Sequence, residues 1–206
     1  MKSYITSYCS ITPESCSLNG KVKYQNLNNR TFNDFSKSIY KQEKIAYPKF
    51  SKMDGLSKLA FIASEVLLSS KDTSRWNEQQ TAIVLGNKSS SIVSDQKHYD
   101  SYKDRASYFP SPAVFVYTLP NIMLGEISIK NKITGETSCF IQDQFDSTFL
   151  YQYIKDLFDS EGYHRCITGW VDYTPFDYEA HLFLVSKSDI EEVKTIFDHN
   201  FKRLII

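Results

Sequence analysis

The chain has 206 residues, enough for one domain, and its 41% hydrophobic content can fill a core. Lys plus Arg equals Asp plus Glu at 24 each, so no net field gathers phosphates, which argues against nucleic acid or a charged membrane surface as a partner. No apolar run approaches the roughly 20 residues that span a bilayer, and the chain turns polar straight after Met1-Lys2-Ser3-Tyr4-Ile5 instead of building a signal-peptide core, so the expected location is the cytoplasm.

The aromatic share is 15%, with 14 Tyr and 14 Phe. Rings bring large area at small entropy cost, so beyond an ordinary core some are expected at an interface or along an apolar cleft. The four cysteines, Cys9, Cys16, Cys139 and Cys166, include no C-x-x-C pair, and no histidine stands in a zinc-like register. No metal, disulfide or cofactor is therefore expected. Cys139 and Cys166 lie in apolar, strand-like runs that suit inert buried thiols.

In chain order, residues Tyr4 to Ile11 alternate and are rich in β-formers, which predicts a first strand ending at Thr12-Pro13. Residues 14–50 are polar and read as loop around Asn26 to Arg30, with a short helix near Asn33 to Tyr40. Asp54 caps a helix whose Leu56, Leu59, Ala60, Ala63, Val66 and Leu67 recur at spacings of three and four. Lys71 to Ser74 ends it. Thr81 to Leu85, closed by Gly86-Asn87, predicts a buried strand, followed by a Ser-rich turn over Lys88 to Ile92 and a polar, aromatic stretch from His98 to Tyr108.

Phe109 to Pro120 carries three prolines, which forbid a regular helix there. A helical pattern opens at Asn121 and runs to Lys132, and Ser138 to Ile141 predicts another buried strand. Asp146 or Ser147 caps a helix carrying Phe149, Leu150, Tyr153, Ile154, Leu157 and Phe158, stopped by Gly162. Strands follow at Arg165 to Val171 and Ala180 to Val185, and a helix from Ser188 to Phe201 closes the chain. The expected architecture is α/β, a mixed five-stranded sheet with helices on its faces, in one domain covering residues 1–206.

Three stretches resemble the β-ketoacyl synthases of the thiolase superfamily. In Phe115-Val-Tyr-Thr-Leu-Pro-Asn-Ile-Met-Leu-Gly-Glu-Ile-Ser128, Asn121 and Gly125 match an Asn and Gly that open a helix in that family. Ile133-Thr-Gly-Glu-Thr-Ser-Cys-Phe-Ile141 is similar to the approach to the nucleophile strand, with Glu136 where proline is usual. Ile167-Thr-Gly-Trp-Val-Asp172 resembles the family's Ala-Gly-Gly-x-Asp strand. The resemblance covers residues 50–187 and implies half of a thiolase-like fold, the amino-terminal half.

The departures carry the functional expectation. Counting nine residues on from Gly135, the nucleophilic cysteine of the family falls on Gln144. A synthase needs a thiolate at the head of a helix, where amides and dipole lower its pKa, and glutamine forms no acyl-enzyme. Cys139 falls five positions early. The chain ends before the family's catalytic histidines, and His98, His164, His181 and His199 match none of those motifs. No catalytic residue is expected, and an enzyme is not the leading reading.

The resemblance implies instead a chain length factor: a helper that keeps the dimer-forming fold, often shows glutamine for cysteine, and pairs with a full-length ketosynthase. The heterodimer would work with an acyl carrier protein in fatty acid or polyketide-type synthesis, aryl polyene pigments by analogy, and the resemblance also allows a homodimer of the isolated chain. Ser138, Cys139, Phe140 and Ile141 would form the strand that pairs across the dimer axis. Val114, Phe115 and Tyr117, beside Asn121, would reach the acyl tunnel and limit product length. Plainer roles stand beside these: Gln144 as a helix cap, Phe115 and Tyr117 as core or interface rings, Gly125 as a close-packing residue, and Asp172 as organiser of a turn with Thr174 and Pro175. Asp143 is read as a solvated carboxylate. The alternative function is a stand-alone acyltransferase or malonyl carrier-protein decarboxylase, which would need positioned donors for the carbonyl oxygen.

Overall fold

In the computed structural model, residues 2–104, 108–187 and 195–205 are described. Their strands form one eight-stranded sheet in the order β3-β2-β1-β7-β6-β4-β5, with β8 added beside β1. The strands are β1 (Tyr4–Ile11), β2 (Ser15–Leu18), β3 (Lys21–Gln25), β4 (Thr81–Asn87), β5 (Thr137–Ile141), β6 (Arg165–Tyr173), β7 (Tyr178–Ser186) and β8 (Thr195–Ile196). β4 runs parallel to β5 and β6, and the remaining pairs are antiparallel. The class is the mixed α/β expected, with more strands than the five predicted.

One face is covered by α2 (Gly55–Leu68), with α1 (Phe32–Gln42) and α5 (Ile122–Asn131) packed on its far side. α2 is buried almost all round, as a helix held between layers must be. Its Asp54 cap is confirmed: Oδ1 accepts from the Ser57 amide at 2.9 Å, and Oδ2 accepts from Ser94 at 2.8 Å. The opposite face is covered by α6 (Ser147–Ser160), through Leu150, Ile154, Leu157 and Phe158, and by the turn Phe201–Ile205.

The extra strands arise where polar residues hid them. Asn19 and Gly20, both at positive φ, form the tight turn of the β2–β3 hairpin inside the stretch expected to be loop. Asn-Gly is the strongest short hairpin signal. The flanking residues lack apolar alternation because β3 is the outer edge of the sheet. α3 (Ile92–Asp100) was also missed, because it is amphipathic only weakly; it begins where the expected Ser-rich turn ends and runs into the stretch read as polar and aromatic from His98. Pro112 sits at the first turn of a four-residue helix, α4 (Pro112–Phe115), the one helical position that tolerates proline.

The helix expected over 188–201 is a correction. Residues 188–194 lie outside those described, and beyond them Thr195–Ile196 pairs with Tyr4 and Ile5 as β8. β2 reaches only Cys9 to Ile11, so the start of β1 leaves an open edge that the tail fills, with the Phe197 amide bonding Ser3 O at 3.0 Å.

Asp172 is a second correction. It does not organise a turn with Thr174, which instead pairs with Asp177. Its carboxylate accepts from Asn87 Nδ2 at 3.2 Å, the Ser89 amide at 2.7 Å and Ser89 Oγ at 2.8 Å, and so fastens the loop after β4. The sequence around Asp172 shows only its near neighbours, whereas its partners lie more than 80 residues away.

A Cβ on Gly125 would meet nothing within 4 Å, so helix packing does not require glycine there. Gly125→Ala is expected to stabilise the isolated chain by about 0.5–1 kcal/mol, because alanine loses less backbone entropy inside a helix. Urea unfolding checks it; a loss of stability would show that the space is used.

Candidate functional site

The site is the junction between β5 and α6. Gly135 admits the chain at the base of β5, where a Cβ would fall 2.4 Å from Thr81 O. Glu136, in the place of the usual proline, is tied down on three sides. Its amide donates to Tyr163 Oη at 2.9 Å, and its carboxylate accepts from Ser138 at 2.5 Å and from Tyr153 at 3.3 Å.

Among the described residues, β5 is the last strand of the sheet and pairs only with β4. Ladder bonds from the Ile83 amide to Glu136 O and from the Gln142 amide to Asn87 O set its phase. Alternation then turns the backbone groups of Thr137, Cys139 and Ile141 away from β4, toward the open side. Ile141 is 54% exposed. Phe140 meets Phe149 and Tyr153 in edge-to-face contacts at 4.8 and 5.0 Å, a small aromatic ladder along this edge.

Cys139 lies in mid-strand, and burial pushes its thiol up to about 11. Relative to an ordinary thiol near 9, its thiolate fraction at pH 8 is lower by about a hundredfold, so iodoacetamide should alkylate it about a hundredfold more slowly than a free cysteine. Peptide mass spectrometry over time reads this directly. A fast-reacting Cys139 would contradict the burial.

Gln144 lies on the turn after β5 and is exposed, as is Asp143. It does not cap the helix: Asp146 does, its Oδ1 accepting from the Phe149 amide at 2.9 Å. A carboxylate therefore already occupies the positive end of α6. Sequence reasoning missed Gln142, whose side chain turns inward against Gly86 and Trp170 and whose Oε1 is buried without a hydrogen bond. The period of two from Phe140 would have placed it on that face. Phe145 stacks on Trp170 at 6.0 Å beside it. Among the described residues no histidine hydrogen-bonds to residues 142–146. His164 and His199 are exposed, and His98 packs between Tyr102 and Phe115.

The Pro-rich segment stands on α3 and α5. Phe115 is 56% exposed, Val114 and Tyr117 are half-buried, and Asn121 is exposed at the head of α5. Burial and the nearby Glu126 carboxylate raise the Tyr117 phenol to about 12. Glu126 is buried and also takes Tyr47 Oη at 2.9 Å and Lys49 Nζ at 2.7 Å. Val116, Leu119, Tyr99 and Tyr102 extend the exposed apolar surface around Phe115 and were not foreseen. Among the described residues no single helix is long and apolar enough to cross a membrane.

No protein-family model matches the sequence, and no similar sequence is found among curated proteins. Solved structures, in contrast, are similar. The ishigamide ketosynthase/chain length factor aligns with a TM-score of 0.69 at 14% identity over 95% of this chain and 64% of that one. A type II polyketide synthase complex, AntDE:AntF, in which an acyl-carrier protein is bound to its ketosynthase, gives a TM-score of 0.62 at 11% identity over 90% and 62%. The ketosynthase ApeO with its chain length factor ApeC from Xenorhabdus doucetiae gives a TM-score of 0.54 at 16% identity over 94% and 81%. The chain thus spans under two thirds of the length of the first two. It has the thiolase-like α/β fold of ketosynthase and chain length factor structures.

Proposed function

We propose that the chain is a chain-length-factor-type subunit that pairs along β5 with a full-length β-ketoacyl synthase and, with Phe115 and Tyr117, shapes the tunnel holding the partner's acyl chain. The product class would be a fatty-acid or polyketide-type chain such as an aryl polyene, delivered on a carrier protein.

The carrying observation is the difference between the two edges of the sheet. β3, at one edge, exposes Lys21 and Lys23, the charges that natural edges use to refuse a partner. β5, at the other, reads Thr-Ser-Cys-Phe-Ile with no charge and no proline, and its outward backbone groups want a strand. The exposed rings around Phe115 add apolar surface of the kind interfaces use. At the β5–α6 junction the exposed Gln144 and the Asp146 cap supply no nucleophile, which favours a helper over an acyl-transferring enzyme.

Co-expression with a full-length ketosynthase from the same genome, followed by size exclusion, tests the reading: a stable one-to-one complex is expected. A chain that stays monomeric beside the synthase, or that alone releases acetyl product from malonyl carrier protein, would overturn it.

A further inference from the structure

A second polar constellation lies away from β5. His181 on β7 sits directly across from Ser10 on β1, and Ser10 Oγ is 2.6 Å from His181 Nδ1. The other ring nitrogen, Nε2, is 3.3 Å from Glu179 Oε2, and Trp170 Nε1 donates to Glu179 Oε1 at 2.8 Å. The hydrogen bond from His181 holds the Glu179 carboxyl below its usual range, so the group is an anion that only accepts. In the neutral ring with Nε2–H donating to that anion, Nδ1 is left to accept from the Ser10 hydroxyl.

A tether between strands would need no more than the Ser10–His181 bond, and the ladder already joins β1 to β7 at this pair. The carboxylate behind the ring, itself pinned by an indole, makes Nδ1 a base facing a hydroxyl, the arrangement that activates a serine. His181 is buried, Ser10 is half-buried, and Glu179 is exposed, so the array lies at the surface of the sheet. A cavity of about 390 Å³, lined by Tyr8, Leu18, Asn19, Lys21, Thr195 and Leu204, adjoins β1 through Tyr8. Tyr8 is two residues from Ser10 on one face of β1.

We propose that Ser10, His181 and Glu179 form a hydrolytic site for small carboxylic esters or thioesters, with the acyl group held beside Tyr8. Ser10 Oγ bonds to the carbonyl carbon while its proton passes to His181 Nδ1. The C–O or C–S bond then breaks, and the leaving alkoxide or thiolate takes that proton. Water attacks the acyl-serine with Nδ1 again accepting a proton, which returns to Ser10 Oγ as the carboxylic acid departs. Glu179 positions the ring. This site is separate from the β5 edge, and either reading can fail without the other.

The test uses the purified chain, a fluorophosphonate probe, p-nitrophenyl acetate and a small acetyl thioester. Peptide mapping should find the adduct on Ser10, and turnover of one acetyl donor over the other distinguishes ester from thioester chemistry. Ser10→Ala should abolish labelling, and His181→Gln should slow it by about a hundredfold or more. Glu179→Gln should lower kcat with KM unchanged. Ser17→Ala, directly across from Ser10, should change nothing. A chain folded by circular dichroism that gives no Ser10 adduct, labels without turning over either donor, or labels equally fast as His181→Gln, would overturn the proposal.

Discussion

If the chain pairs along β5 as proposed, the double variant Thr137→Pro, Ile141→Lys is expected to lose the proposed ketosynthase partner while keeping its own fold. Both residues point their backbone away from β4, so proline at 137 removes an outward donor without breaking the ladder within the chain. Both side chains are exposed, so the change in the chain's own stability should stay within about 1 kcal/mol. Across a paired edge, the missing hydrogen bond and a desolvated ammonium should cost about 3 kcal/mol or more, which is a hundredfold or more in Kd. Titration calorimetry against the synthase, with thermal unfolding of each chain alone, separates the two effects. The mirror change at the other edge, Lys21→Thr with Lys23→Thr, should leave the affinity unchanged. Equal affinity of the β5 variant would mean that the chain meets its partner elsewhere.

Gly169→Ala should be the most damaging single substitution in the sheet. Gly169 lies at φ +140, a region L side chains rarely adopt, and a Cβ there would fall 1.9 Å from His181 O on the neighbouring strand. Backbone strain and overpacking each cost about 1–3 kcal/mol, so about 4 kcal/mol is expected in total. Against a typical stability of 5–15 kcal/mol, that brings the chain close to unfolding. Urea denaturation should show a large fall in midpoint with little change in slope. A fall under about 1 kcal/mol would mean that β6 and β7 can separate here without penalty.

The same glycine marks the limit of what the residue order reveals. Within Ile167-Thr-Gly-Trp-Val-Asp172 it stands in a stretch that resembles a glycine-containing family strand, with no steric reason attached to it. Its necessity comes from the backbone of a strand more than ten residues further on. Asp172 is similar: its acidic side chain suggested a local turn, but its partners are the amide and hydroxyl of Ser89. Gln144 was singled out by counting from Gly135, whereas the inward-facing glutamine is Gln142, because a strand alternates its faces whatever the count. The pairing of Ser10 with His181 joins residues 171 apart and left no local signature.

Residue order alone determined the helices α2 and α6, the Asp54 cap and a cap at Asp146 or Ser147, the buried strands β4, β6 and β7, and the α/β class. These depend on periodicity and on capping side chains within a few residues, which a linear reading contains. The tertiary structure alone decided the order of strands, and with it which edge is charged and which is open, where the tail adds β8, and how Ser10, His181, Glu179 and Trp170 come together. Those features depend on which distant segments become neighbours, and hydrogen-bond donors and acceptors are satisfied across the sheet, not along the chain.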